Sequence, residues 1–333
     1  MVTIKDVARE AGVAISTVSN VLNKVDVVTD STKKKVLDAV EKLGYVPNMS
    51  AKSLKNSKSH TIGLFLRSIQ GDYYKLLMQA IHWECKMRNY LLNIYVSNVN
   101  TSEEVYGMII SSCVEGAIVL NESLKPEHLE RLEEAGLPIV FFDRSYSSQN
   151  ISSITIDDRA GTKQAMEHLI QTGHKRIGFI QGADSRDNTL RFETYEKVME
   201  QHHLPIDRKL IGYGEFGKED AYKETLRILA EADSLPDALF CANDDMAFGS
   251  IAALQESGIS VPGQVSVVGY DDSVMAQYSK PPLTTVHSPI EELGKRGIIE
   301  LFRLLSKTDS EIGKIEVLHP TLMIRESSMK NEQ

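Results

Sequence analysis

No stretch of the 333 residues strings together about 18 apolar side chains, so the sequence offers no membrane-spanning helix. The opening Met1-Val2-Thr3-Ile4-Lys5-Asp6 lacks the basic-then-apolar order of an export signal. Cysteine is scarce: Cys85, Cys113 and Cys241 stand far apart in apolar or mixed surroundings, which reads as three buried free thiols. Zinc needs clustered ligands, and none cluster. No Ser-His-Asp set stands out by spacing, so nothing points to nucleophilic catalysis. These absences lead us to expect a cytoplasmic protein without metal, cofactor or enzymatic activity. What remains is ordinary for a soluble globular chain, with 42% apolar and 25% charged residues and room for two or three domains.

Charge is unevenly placed. The net charge is −9, yet residues 1–60 hold ten Lys/Arg against six Asp/Glu. The rest holds 27 basic and 40 acidic residues. A small basic head on an acidic body is the asymmetry expected where one end docks on phosphate.

That head contains three short helical patterns. Ile4, Val7, Ala8 and Ala11 share one apolar face, and Thr3 with Asp6 fits a capping box at its start. Gly12 and Val13 interrupt the pattern, and a second helix runs from about Ile15 to Leu22 with Val18, Val21 and Leu22 inward. A third runs from about Ser31 to Leu43 on a stripe of Val36, Val40 and Leu43, stopped by Gly44. Two short helices joined by a tight Gly-containing turn make a helix-turn-helix unit, with the third helix as support. Residues 47–60 are polar, basic and almost free of bulky apolar groups, a linker. From Thr61 onward, short apolar runs alternate with helical patterns: Ile62–Leu66, Leu91–Val96, Gly116–Leu120, Ile139–Phe142, Ile177–Ile180, Ala238–Cys241 and Val265–Gly269. This βα rhythm predicts parallel sheets covered on both faces, in two lobes with a cleft between them.

The second helix of a helix-turn-helix enters the DNA major groove. Ile15, Ser16 and Asn20 fall where base-edge contacts belong, and Thr17 and Ser19 where phosphates lie. Asn20 can pair bidentately with adenine, and Ile15 can touch a thymine methyl. Lys5, Lys33, Lys34 and Lys35 are further phosphate candidates. In the linker, Leu54 has nothing local to pack against; flanked by Lys52 and Lys55, it suits a wedge between base steps in the minor groove. Asn48–Lys55 is shorter than the roughly 12 to 15 residues an isolated helix needs in water, so any helix there forms on DNA.

Other function classes fit single stretches of the sequence less well. Gly212-Tyr-Gly214-Glu-Phe-Gly217 formally matches the dinucleotide-binding GxGxxG, but it does not open the first βαβ unit, and Phe216 would block the approach of a pyrophosphate. We read it as a loop carrying Phe216 to the cleft. His82-Trp83-Glu84 resembles half of a deaminase motif whose Pro-Cys-x-x-Cys half is missing. A transport receptor with the same core would have no use for residues 1–60.

The strings Thr3-Ile4-Lys5-Asp6-Val7-Ala8-Arg9, Ser16-Thr17-Val18-Ser19 and Val21-Leu22-Asn23 resemble the headpiece of the lac-repressor/gal-repressor family. So do Leu43-Gly44-Tyr45-Val46-Pro47-Asn48 and Ala51-Lys52-Ser53-Leu54. The resemblance continues in order through Ala242-Asn243-Asp244, Gly269-Tyr270-Asp271-Asp272, Pro282-Leu283-Thr284-Thr285 and Arg325-Glu326-Ser327. It implies a homodimeric repressor on pseudo-palindromic double-stranded operator DNA, with Thr3, Lys5, Asn23 and Lys55 joining the DNA contacts named above. It also implies a periplasmic-binding-protein-like (type I) core. Tyr73, Arg144, Arg191, Phe216, Asn243 and Asp271 take the positions that hold a small-molecule effector, expected to be a sugar, sugar acid or sugar phosphate. The expected parts are a headpiece (1–46), a hinge (47–60) and a core (61–333), the core divided into an N-subdomain (61–160 and 291–320) and a C-subdomain (161–290 and 321–333). Three departures stand out. Ala14 replaces a common N-cap Ser, and Asn20 replaces a common Arg. Arg67-Ser68 stands where sugar-responsive members often have Pro-Asp, which tilts the expected ligand towards an anion. The C-terminal tail carries no heptad repeat for a coiled-coil tetramer.

Overall fold

The computed structural model describes residues 2–22, 25–45, 59–97, 101–306 and 312–329. The chain divides into two compact units, Met1–Ser59 and His60–Gln333.

In the first unit, α1 spans Ile4–Ala11, α2 Ile15–Leu22 and α3 Asp30–Leu43. The Thr3 amide and hydroxyl both donate to Asp6 Oδ2, at 3.0 and 2.7 Å. Gly12 and Gly44 close α1 and α3 in the left-handed region, at φ 62° and 59°, a conformation that costs glycine little. Val7, Ala8, Val18, Val21, Val36 and Ala39 form the small core. Ala14 caps α2 through its carbonyl alone, accepting from the Thr17 and Val18 amides at 3.0 and 3.2 Å.

The second unit holds two six-stranded sheets. Strands β1 (Thr61–Leu66), β2 (Leu91–Val96), β3 (Gly116–Leu120), β4 (Ile139–Phe141), β5 (Ile151–Ile156) and β11 (Ile315–Leu318) form the first, in the order β11-β5-β4-β3-β1-β2. It is parallel throughout. The second sheet contains β6 (Ile177–Gln181), β7 (Ile211–Tyr213), β8 (Ala238–Cys241), β9 (Ser266–Asp271), β10 (Thr284–His287) and β12 (Thr321–Met323), in the order β12-β10-β9-β8-β6-β7. Only β12 runs antiparallel to its neighbour. Helices α4 (Asp72–Met87), α5 (Ser102–Ser111), α6 (Pro126–Glu134) and α11 (Ile290–Leu305) belong to the first lobe. Helices α7 (Asp158–Gln171), α8 (Arg186–Gln201), α9 (Lys218–Glu231) and α10 (Asp244–Glu256) belong to the second. The chain passes between lobes at Asp157, at Ser288–Pro289 and at His319–Pro320.

Strand β5 escaped the reading of apolar runs because Ser152, Ser153 and Thr155 interrupt it. All three are buried, and hydrogen bonds make that tolerable. The Ser152 hydroxyl donates to Glu300 Oε1 at 2.5 Å, and the Ser153 hydroxyl to the Tyr146 carbonyl at 2.6 Å. His174 is a structural bridge, its ring nitrogens 2.9 Å from the Leu169 carbonyl and 2.8 Å from Ser266 Oγ. Of the three thiols, Cys85 and Cys241 are buried, but Cys113, in the loop before β3, is exposed, contrary to the expectation that all three are interior. Among the described residues no helix is long and apolar enough to cross a membrane, and no metal-binding cluster occurs.

Candidate functional site

A cleft of about 910 Å³ lies between the lobes, lined by the loops after β1, β3, β4, β6, β7, β8 and β9. Placing ligand contacts at the carboxyl ends of parallel strands is the general habit of open α/β sheets. At its inner wall Arg191, only 5% exposed, is held from three sides. It donates to Asp158 Oδ1 through Nε at 2.9 Å and to the Ala242 carbonyl through Nη1 at 2.6 Å, and it stacks 3.7 Å above the Tyr270 ring. Burial alone would lower its pKa, but Asp158 and Asp187 more than offset that and hold it above the usual arginine range.

Asp271 ends β9 at φ 109°, a strained value for a residue with a Cβ. Its carboxylate makes no hydrogen bond or ion pair with any described residue. Burial raises its pKa well above the ordinary carboxylate range, with Arg191 opposing and Asp244, Asp187 and Asp158 adding to the rise. Behind it, Asp244 accepts from the Thr285 hydroxyl at 2.5 Å and from the Ser273 amide at 2.7 Å, and burial pushes its pKa up to about 7.

The opposite rim is aromatic. Glu215 and Phe216 both adopt left-handed backbone, at φ 49° and 60°. Any Cβ at Gly182 would collide with the Phe216 ring, so glycine there lets the ring in. Asn243 holds this loop, its Nδ2 donating to the Phe216 carbonyl at 3.2 Å while its Oδ1 caps α10 by accepting from the Met246 amide at 2.9 Å. Tyr73, at the start of α4, packs edge-on against Tyr74 and joins the lining.

Two hydrogen-bonding contacts tie the lobes together at the cleft. Arg67 Nη1 donates to the Asp184 carbonyl at 2.7 Å. The Arg186 amide, at the first turn of α8, donates to both Glu122 oxygens at 3.0 and 2.8 Å. Burial pushes Glu122 up to about 7; the Arg186 amide and Arg67 oppose, and Asp187 and Asp143 reinforce the rise. A raised carboxyl pKa means the latched state takes up a proton that an open, hydrated Glu122 would not. Latching is therefore favoured below that pKa and weakened as pH rises through about 7. By small-angle scattering, the ligand-free core is expected to be more compact at about pH 5.5 than at about pH 8. Glu122→Gln should flatten this dependence, even though Asp244 titrates in the same window, and an unchanged profile in that variant removes Glu122 as the cause.

On the first unit, α2 turns Ile15 (44% exposed) and Ser16 outward while Val18 and Val21 face the core, leaving Thr17, Ser19 and Asn20 half-buried along its flank. Thr3 and Lys5 are exposed at the start of α1. Lys33 is already engaged by Asp26 at 3.0 Å and Asp30 at 3.4 Å. Asn23, Leu54 and Lys55, with most of the expected hinge, lie outside the described residues.

Comparison with known proteins decides the family. Residues 3–48 match the model for bacterial regulatory proteins of the lacI family, and residues 166–328 match a periplasmic binding protein-like domain. The chain is 34% identical over 330 residues to the probable HTH-type transcriptional repressor ExuR of Bacillus subtilis (strain 168), covering 98% of both chains. It belongs to the lacI family. Among solved structures, the lac repressor dimer bound to operator and the anti-inducer ONPF superposes with a TM-score of 0.81 at 27% identity, covering 98% of this chain and 99% of that one. The transcriptional regulator CelR–cellobiose complex gives 0.70 at 30% identity, covering 98% and 100%. LacI-family membership makes the chain a DNA-binding transcriptional regulator and not an enzyme, and the two-lobed α/β architecture with parallel sheets is the family's.

Within this lacI-family core, Tyr73, Arg191, Phe216, Asn243 and Asp271 all line the cleft. Arg144 does not. Its guanidinium is used up by Asp143, by the carbonyls of Asn121 and Leu124, and by the Phe141 ring, so it braces the β3 and β4 loops instead of facing a ligand. The Gly212–Gly217 run is the loop that carries Phe216, with Gly217 opening α9. Sequence reasoning missed Glu122, Arg186 and Ser288. The acidic pair Asp244-Asp245 after Asn243 offered a signal for its own neighbourhood, but Glu122 and Ser288 stood in connecting segments and Arg186 at a helix start, with no pattern around them.

Proposed function

We propose that this chain is a homodimeric repressor of a pseudo-palindromic operator, released or tightened by a neutral polyhydroxylated ligand that binds between the lobes. The carrying observation is the Asp271 carboxylate, a free acceptor set between Arg191 and a rim of Tyr73 and Phe216. Carboxylates that accept sugar hydroxyls, with an aromatic ring against the apolar face, are the contacts a carbohydrate needs. The charge of the lining argues against the anionic ligand towards which Arg67 tilted the sequence reading. Nine acidic residues face four basic ones there, and Arg67 and Arg191 are already committed to protein partners. A bound anion would need a cation that Arg67 and Arg191 no longer offer, whereas a neutral polyol would not. The printed ligand of the CelR neighbour, cellobiose, is of this neutral class.

The headpiece supplies the DNA contacts, with Ile15, Ser16 and Asn20 at base edges and Thr3, Lys5, Thr17 and Ser19 at phosphates. Leu54 in the hinge serves as the minor-groove wedge. Ligand changes the lobe angle, and the linked hinges pass this on to operator affinity, a coupling typically worth roughly 1 to 3 kcal/mol. The test has two parts. Thermal stability is measured with D-glucose, D-galactose, D-ribose and cellobiose against D-glucuronate and glucose 6-phosphate. Operator binding is measured for the full chain and for residues 61–333. Stabilisation by a neutral sugar and loss of binding on removing residues 1–60 support the reading; stabilisation by the anions alone overturns the ligand class.

A further inference from the structure

Among the described residues several buried polar side-chain atoms lack a hydrogen-bond partner, and Ser288 is one of those that line the cleft. Ser288 is the first residue of the crossover that follows β10, and it lines the cleft while only 3% exposed. Its Oγ has no hydrogen-bond partner among the described residues. Its backbone is fully engaged: the amide donates to the Asp271 carbonyl at 3.5 Å, and its carbonyl accepts from the Ile290 amide at 2.7 Å. The cost of burying an unpaired hydroxyl is real, and proteins retain such groups where something else completes them. Ser288 follows His287, the residue registered against Asp271 across the β9–β10 pair. Thus the unpartnered hydroxyl and the unpartnered carboxylate come from adjacent strand ends and face one cavity.

We propose that Ser288 is a specificity-determining residue that binds the ligand directly, its hydroxyl and the Asp271 carboxylate sharing a pair of neighbouring ligand hydroxyl groups. The diol donates to Asp271 and exchanges a hydrogen bond with Ser288, which can both donate and accept. This assignment rests on the neutral-polyol reading of the cleft and sharpens it: the ligand needs two adjacent hydroxyls at that end. It also places a ligand contact on a crossover between the lobes, so the ligand is felt at the pivot itself.

The probe is whichever of D-glucose, D-galactose, D-ribose and cellobiose stabilises the full-length protein most, followed by its monodeoxy derivatives. In calorimetry, Ser288→Ala is expected to weaken binding of the probe by about threefold to tenfold, the usual worth of one neutral hydrogen bond. One monodeoxy sugar should bind the wild type more weakly than the parent but bind Ser288→Ala no more weakly than the parent does. Meanwhile the ligand-free Tm of the variant should be equal to or above that of the wild type, because an unpaired hydroxyl has been removed; a merely structural serine would give the reverse. Full affinity in Ser288→Ala with the deoxy penalty unchanged overturns the assignment while leaving the cleft reading intact. If none of the four sugars binds the wild type, the cleft reading itself fails and this assignment fails with it.

Discussion

Arg191→Ala is expected to remove about 3 to 5 kcal/mol from the stability of the core and to abolish ligand binding together with it. The reasoning is electrostatic. Arg191 neutralises Asp158, whose side chain is itself almost wholly buried, and it contacts Asp187 at 3.4 Å as well. Removing the guanidinium strands a carboxylate in the interior and leaves the Ala242 carbonyl and the face of Tyr270 without their partner. The loss falls on the fold first, because the side chain spends its donors on protein and not on the cavity. Arg191→Lys should recover only part of it, since a single ammonium cannot reproduce the fork that reaches Asp158 and Ala242 together. Urea unfolding of the variants checks this. A midpoint within the equivalent of 1 kcal/mol of wild type would mean that the pair is worth little.

The second large effect concerns base recognition. Asn20→Ala should cost about 1 to 3 kcal/mol at one base pair of each half-site, relaxing the preference there while leaving the remaining positions unchanged. Binding-site selection followed by titration of single-base variants reads this directly. Lys5→Ala is the control: it should weaken all sequences alike and lower the salt dependence by about one phosphate's worth. A uniform loss for Asn20→Ala, matching the lysine variant, would move Asn20 from base edge to backbone. A side-chain amide pairs bidentately with adenine N6 and N7, so the selected base is expected to be adenine and not guanine.

How much of this was legible beforehand depended on the kind of signal. The headpiece was readable almost to the residue, because apolar residues recur with helical spacing within each helix, as at Ile4, Val7, Ala8 and Ala11, and because Gly12 and Gly44 stand where the backbone turns left-handed. The parallel sheets were readable wherever strands are continuous apolar runs. Strand β5 was not, since its serines are interior only by virtue of Glu300 and Tyr146, contributed from far along the chain. The cleft was legible by resemblance at Tyr73, Arg191, Phe216, Asn243 and Asp271 as positions, but not in what each does there. Asn243 looks equally like a ligand donor until its two ends are found holding α10 and the Phe216 loop. Arg144 shows the limit most clearly, since a cation next to a cleft loop reads the same whether it points in or back. Ser288 had no signal at all, because an orphan hydroxyl is defined by what surrounds it.

Arg325 and Ser327 brace the turn that follows β9. Arg325 donates to Asp272 Oδ1 at 2.6 Å and to the Leu283 carbonyl at 2.8 Å, while the Ser327 hydroxyl donates to the Val267 carbonyl and accepts from the Thr284 amide. Asp272 adjoins Asp271, and both sit in left-handed backbone. The tail therefore clasps the very turn that presents the free carboxylate. Substitutions at Arg325 or Ser327 would leave every cleft side chain in the sequence and still loosen the turn that carries Asp271, so a regulator can be damaged at positions that no inspection of the binding residues would reveal.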